Sequence, residues 1–449
     1  MATHFDLIVI GSGSAAMTVA TRCRAAGWQV AMADSRPFGG TCALRGCEPK
    51  KVLVAAAEAV DSGRRLEGKG VAGKPLISWP ELMRFKRTFT TPVPQGREEQ
   101  LRQAGIAAFH GRARFTDAHT LQIGDETAEA RRVVIAAGAA PARLNIPGEE
   151  HLIDSEQFLE LNALPRRIVF VGGGYISFEF AHIAARAGAA VTILHLDSRP
   201  LAAFDPDLVG ALVRRTRALG VQVELDSPVR AIERTAEGLA VHAGPAAAPR
   251  AFAADLVVHG AGRVAEIEDM GLDAAGVAWE RRGVRVNEYL QSVTNPNVYA
   301  AGDAAATAGA PLTPVAGYEG QIAAANLLEG NHRTADYAGM ASVAFTIPPL
   351  AAVGLREEAA REQGLRFRVH AENTSGWYSS RRVGEEYSGF KVLIEEGSER
   401  ILGAHLLGPH AEETINLFAL AIRAGLRASD LKDELFSYPT NASDVRYML

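Results

Sequence analysis

One pattern occurs twice in these 449 residues, and it constrains the fold more than any other feature. The first copy, "FDLIVIGSGSAAMTVATRCRAAGWQVAMAD", opens with the apolar run Phe5–Ile10 and turns through Gly11, Gly13, Ser14 and Ala16 in the pattern G-x-G-x-x-A. A helix-compatible stretch ends at Gly27, and a second β-rich run, Trp28–Ala33, closes on Asp34, 23 positions after Gly11. Strand, glycine turn, helix and strand in that order predict a βαβ unit. Gly11 permits the tight turn, and Gly13 lets a pyrophosphate approach the backbone. Ala16 allows close helix–strand packing, and Asp34 can accept from ribose hydroxyls.

The second copy, "RRIVFVGGGYISFEFAHIAARAGAAVTILHLDSRP", lies ~160 residues later. Ile168–Val171 reads as the strand, Gly172, Gly174 and Ser177 fill the three small positions, and Ala190–Leu194 forms the next strand. Two such units suggest two dinucleotides. A carboxylate at the end of the second strand would favour a 2′-hydroxyl, and a cation a 2′-phosphate. Here His195 and Arg199 lean toward NADPH over NADH, against the nearby Asp197.

Bulk composition narrows the rest. The chain is 47% hydrophobic and 22% charged with a net charge of −5, which does not suggest a nucleic-acid or membrane surface. No apolar run reaches the ~18 residues a membrane span needs. The first residues lack a basic n-region, so we expect no signal peptide and a cytoplasmic location. In that compartment a permanent structural disulfide is disfavoured. Yet two of the three cysteines, Cys42 and Cys47, stand five positions apart in "GGTCALRGCEPKK". Two thiols with no nearby histidine or third cysteine make an incomplete zinc set, and the surrounding glycines and charges do not suit a core. A redox pair is the reading we favour. A helix beginning after Pro49, with Arg45, Lys50 and Lys51, would favour thiolate. Cys23 sits in the helix of the first unit and reads as a small core residue.

The order of "GSGSAA", "GGTCALRGCEPKK", "VVIAAGAAPARLNIPG", "VGGGYISFEFA" and "NPNVYAAGDAA" resembles the class I flavoprotein disulfide reductases, the family of glutathione reductase, lipoamide dehydrogenase and mercuric reductase. The resemblance covers essentially the whole chain. It implies an α/β fold with two Rossmann-like domains, one inserted in the other, and a C-terminal α+β interface domain. The implied boundaries are an FAD domain over 1–148, an NAD(P) domain over 149–263, the FAD-domain return over 264–334 and the interface domain over 335–449. It implies FAD in the first site, held also by Gly40, Thr41, Ala137, Gly138, Gly302, Asp303 and Thr313. A nicotinamide dinucleotide would occupy the second, with Tyr175 covering its pocket beside Ile176, and Gly262 in the returning connector. Cys42 and Cys47 would form a redox-active disulfide, Cys47 against the flavin and Cys42 facing the substrate. Hydride would pass from NAD(P)H to flavin and its electrons on to the disulfide. Glu179 would pair with Lys50 or Lys51. A homodimer is implied, with the partner's tail completing each active site.

The chain departs from that pattern at its tail. Family thiol–disulfide reductases carry His-Pro-Thr with a glutamate three residues after the Thr, while this chain reads "FSYPTNASDVRYML". Tyr438 replaces the histidine, Ser443 takes the glutamate position and Asp444 follows. A histidine titrates near ~6.5 and a tyrosine near ~10, so Tyr438 can donate a proton but is a poor base for Cys42. This argues against glutathione or lipoamide turnover. The lack of a cysteine after Cys47 argues against efficient mercuric-ion reduction. We expect an acceptor that needs no histidine base: an uncommon disulfide, a quinone or a metal ion. Two alternatives stay open, a flavin-only NAD(P)H oxidase with the cysteines as sensor, and a redox sensor without turnover. Trp377, Tyr378, Arg381 and Arg382 would line either a substrate entrance for an anionic or aromatic molecule, or an exposed hairpin.

Overall fold

The apolar run at the start forms the strand Thr3–Ile10, whose side chains alternate between two cores. Leu7 and Val9 pack with Ala16, Val19 and Ile322, while Ile8 and Ile10 pack with Val133, Ile135 and Val298. A strand covered on both faces reads as an unbroken apolar run, as this one does. The computed structural model describes residues 3–245 and 247–449. They divide into two compact units, one of residues 3–50, 85–142 and 263–337, the other of 51–84, 143–245, 247–262 and 338–449.

In the first unit, Thr3–Ile10 lies parallel to Val30–Asp34 on one side and Glu126–Ile135 on the other. Ala107–His110 extends the parallel sheet beyond Val30–Asp34, and Val298–Ala300 pairs parallel with Glu126–Ile135. The helix Ser14–Ala25 follows the glycine turn, and the helix Thr313–Glu329 packs against it through small residues. A Cβ on Gly320 would stand 2.8 Å from the carbonyl oxygen of Ala15.

The second unit repeats the plan. Gln222–Glu224, Ala190–Leu194, Arg167–Val171, Leu256–His259 and Leu152–Ile153 form a five-stranded parallel sheet. The helix Tyr175–Arg186 follows its glycine turn. A separate antiparallel sheet orders Ala341–Ala344, Leu350–Gly354, Ile401–Leu407, Gly389–Glu395 and Phe367–Asn373, with the helix Ala411–Ala424 sharing its core. The fold is α/β with two Rossmann-like units and a C-terminal antiparallel sheet domain. Among the described residues, no helix is long and apolar enough to cross a membrane.

Candidate active site

The two glycine turns share one geometry. Gly11 has φ +105° and Gly172 φ +107°, a region open to glycine. A Cβ on Gly11 would sit 2.3 Å from Ala136 O, and one on Gly172 would sit 2.4 Å from Gly260 O. Each turn is thus pressed against a connector, Ala136–Gly138 or Gly260–Gly262. Ala139–Pro141 and Arg263–Ala265, which follow the two connectors, pair as an antiparallel ladder in the first unit.

The helices Ser14–Ala25 and Tyr175–Arg186 are each preceded by a glycine with no side-chain cap, Gly13 and Gly174. Their first N–H groups are left for an anion. Gly40 closes on Gly13 so tightly that a Cβ there would stand 2.4 Å from Gly13 Cα. These are features of a cradle that a dinucleotide pyrophosphate fits. Asp34 ends its strand accepting from Ser12 Oγ at 2.6 Å and from the Arg36 backbone N–H at 2.9 Å. At the matching position His195 lies over Gly173, with Nε2 3.0 Å from Arg199 O. Arg199 is ion-paired with Glu358 at 3.0 Å, and Asp197 is exposed.

Cys42 lies in the short helix Gly40–Arg45, and Cys47 is the first residue of the helix Cys47–Arg65. The second helix therefore starts before Pro49, not after it. Proline is tolerated in a first turn, where its missing N–H costs nothing. Thr41 sits half-buried beside the pair, and a Cβ on Gly46 would come within 3.1 Å of it. Both sulfurs are free thiols, Cys47 exposed and Cys42 half-buried. The sulfur of Cys47 is 3.3 Å from Thr313 Oγ1, at the head of the Thr313–Glu329 helix. Cys42 donates to Cys47, which pulls the Cys47 thiol down to about 6 and pushes Cys42 well above the usual thiol range. Thr313 and Lys50 also lower Cys47. Cys23 is fully buried, and burial pushes its thiol up to about 12.

A carboxylate that the sequence reading passed over organises the same region. Glu319 is buried on the Thr313–Glu329 helix. It accepts from the Gly302 backbone N–H at 2.7 Å, Thr307 Oγ1 at 2.7 Å and Tyr337 Oη at 2.6 Å. It thereby fixes the turn Gly302–Ala304, which carries Asp303. Burial raises both carboxyls, and Arg263 partly offsets this at Asp303. The available signal was a lone acid inside "TPVAGYEGQIAAANLL", an otherwise small and apolar helix.

In the second unit Glu179 is buried and accepts from the Phe345 backbone N–H at 2.7 Å. Lys51 Nζ lies 4.3 Å from the centre of the Phe345 ring, so both residues reach Phe345. One turn on, His182 Nδ1 accepts from the Ile347 N–H at 3.0 Å. Tyr175, at the head of the same helix, is partly exposed, with Ile176 half-buried behind it.

Tyr438 is 81% exposed. Ser443, at the glutamate position, turns inward and donates to Thr440 O at 2.6 Å. Asp444 accepts from Ser379 Oγ. The glutamate position thus holds Ser443, and the neighbouring carboxylate, Asp444, is engaged by Ser379. His405 is buried, which lowers it, while His410 is exposed at the head of Ala411–Ala424.

Comparison with known proteins agrees with this geometry. Residues 5–320 match the pyridine nucleotide-disulphide oxidoreductase family, and residues 340–449 match the dimerisation domain of the same family. The chain is 30% identical to a glutathione reductase from Nostoc, over 99% of both chains. It is 33% identical to a mercuric reductase from Streptomyces lividans, over 99% of this chain and 95% of that one. It resembles the structure of the Cu(II) complex of the HOCl-induced flavoprotein disulfide reductase RclA from Escherichia coli. That likeness has a TM-score of 0.89 and 28% identity, and covers 100% of this chain and 99% of the other.

Proposed function

This chain belongs to the pyridine nucleotide-disulphide oxidoreductase family, and from that premise we propose that the Cys42–Cys47 pair receives an electron pair and passes it to an acceptor needing no histidine base; FAD, when bound, would supply the two-electron chemistry between a nicotinamide and that pair. The observation that carries this reading is the thiol pair itself, with Cys47 favoured as thiolate and Cys42 as its proton donor.

Gly11, Gly13, Ser14 and Ala16 hold the FAD pyrophosphate, Asp34 its ribose, and Asp303 and Thr313 the flavin end. Gly40, Thr41, Ala137 and Gly138 close around it. Gly172, Gly174, Tyr175 and Ile176 hold NADPH in preference to NADH, with His195 and Arg199 at the 2′-phosphate and Gly262 in the connector. Lys50 favours thiolate at Cys47, and Lys51 and Glu179 are the further charged residues we assign to catalysis. The enzyme works as a homodimer, in keeping with the matched dimerisation domain.

The dithiol returns to the disulfide by giving up two electrons and two protons. A quinone takes up all four and becomes the hydroquinone, so the thiols supply its protons. A metal ion takes electrons alone and the protons go to solvent; the Cu(II) complex of the structural relative supports including that ion. A glutathione-type disulfide would need a base on Cys42 and an acid for the leaving thiolate. Exposed Tyr438, with Ser443 at the glutamate position and Asp444 engaged by Ser379, does not supply both.

The test is NADPH consumption by the FAD-loaded enzyme with glutathione disulfide, a quinone and Cu(II), for the native chain and Cys42→Ser. We expect turnover with the quinone or Cu(II), little with glutathione disulfide, and loss in Cys42→Ser. Full turnover in Cys42→Ser would overturn the dithiol route.

A further inference from the structure

Two segments far apart in sequence build one cleft of about 180 Å³ in the second unit. Its walls are the rings of Trp377, Tyr378, Tyr438 and Tyr447, and its polar groups include Arg382 and Asp444. We infer that this cleft is a binding site for a planar aromatic anion of one or two fused rings. The inference rests on the reading above only in taking such a molecule, a quinone carrying an acidic substituent, to be the electron acceptor.

One wall, the Trp377 ring, is held before any ligand arrives. Trp377 packs on Phe390 with ring centres 5.8 Å apart, and meets Tyr447 edge-on at 6.2 Å and 82°. Its indole nitrogen is tied to Glu372 at 3.3 Å. The facing tail is held by Thr440 Oγ1 donating to Ser437 O at 2.6 Å and by Asn441 Nδ2 donating to Pro409 O at 3.0 Å. Ser379 Oγ donates to Asp444, which joins the two segments. An aromatic ring held in place, as Trp377 is, binds a flat ligand at low entropic cost.

Charge selects the ligand. Asp444 is occupied by Ser379, and burial raises it. Arg382 is exposed at the mouth of the cleft and close enough to Asp444 to lower it. A second cation, Arg446, lies 5.6 Å from the centre of the Tyr447 ring. An anionic substituent gains a charge-assisted bond to Arg382 while its ring stacks on the aromatic walls. The volume, about 180 Å³, is below the ~300 Å³ of a drug-sized pocket and suits a small ring system.

The test is calorimetric titration of the oxidised FAD-loaded enzyme with naphthalene-2-sulfonate and with the neutral naphthalene-2-methanol. The sulfonate is expected to bind about tenfold tighter than the alcohol, the scale of one charge-assisted hydrogen bond. Arg382→Gln should erase that difference and leave the alcohol's affinity in place, while Arg382→Lys keeps part of it. Trp377→Leu should weaken both ligands. Equal affinity of the native enzyme for the two ligands, or no binding of either, overturns the inference. So does unchanged sulfonate binding in Arg382→Gln. Sedimentation showing that the sulfonate dissociates a dimer would identify a second copy as the occupant and also overturn it. Because the protein is oxidised throughout, binding here together with failure of 1,4-naphthoquinone-2-sulfonate to be reduced would uphold the cleft and count against the proposed electron route alone.

Discussion

Cys47 Sγ lies 3.3 Å from Thr313 Oγ1, so the sulfur heading one helix meets the hydroxyl heading another. Both N-termini and both donors, Thr313 and the Cys42 thiol, favour negative charge on that sulfur.

The reduced protein should therefore alkylate at Cys47 with an apparent pKa near 6, well below an ordinary thiol. Cys42→Ala removes the largest cause and should move that pKa upward, whereas Cys42→Ser keeps a donor and moves it less. Iodoacetamide rates against pH measure this, and buried Cys23 does not interfere. An identical pKa in Cys42→Ala and the native chain would contradict the donation from Cys42 to Cys47.

Glu319 is the second structural commitment. Glu319→Ala strands the Gly302 N–H, Thr307 and Tyr337 together, and should cost about 3 kcal/mol of stability. It should also weaken FAD retention, since the Asp303 turn loses its anchor. Glu319→Gln keeps an acceptor and should cost about half as much. Urea unfolding of the apoprotein and FAD release on dilution separate the two effects.

Acid should destabilise the second unit through His182. The ring is fully buried, accepts from Ile347 N–H and lies 2.9 Å from Thr216 Oγ1. Thr216 gives its own proton to Leu212 O, so His182 Nε2 carries the hydrogen and the ring is neutral. Burial holds its pKa well below 6.5. The neutral ring's contribution is complete above pH 6.5 and is lost as pH falls, by up to about 1.4 kcal/mol per pH unit. Urea midpoints between pH 7 and 5 should fall more steeply for the native chain than for His182→Gln.

Tyr438 should matter little to an acceptor that needs no base. Tyr438→Phe should lower quinone turnover by less than about tenfold, short of the loss expected for a general acid–base residue. Tyr438→His should raise glutathione-disulfide turnover by about tenfold and add a pH limb near ~6.5, limited by Ser443 at the glutamate position. Steady-state rates across pH 5.5–8.5 read both effects.

Features encoded locally were legible in the sequence. Gly11 and Gly172 announced both turns because no residue with a Cβ fits where they stand. The helix starts at Cys47, three residues earlier than expected, because the proline occupies the first turn and does not precede the helix. Glu319 and His182 stayed hidden because their partners come from elsewhere in the chain: Gly302, Thr307 and Tyr337 for one, Thr216 and Ile347 for the other. Such contacts leave no periodicity. The Trp377 segment and Tyr438 were each noted, but only the Ser379–Asp444 bond shows that they share a cleft.

The central claim is that electrons leave the flavin through Cys47. Anaerobic titration of the oxidised, FAD-loaded enzyme with NADPH tests it most directly. The account predicts a long-wavelength thiolate-to-flavin charge-transfer band that persists in Cys42→Ser and is missing in Cys47→Ser. Direct bleaching of the flavin with no such band in the native enzyme, or a band unaltered by Cys47→Ser, would contradict it.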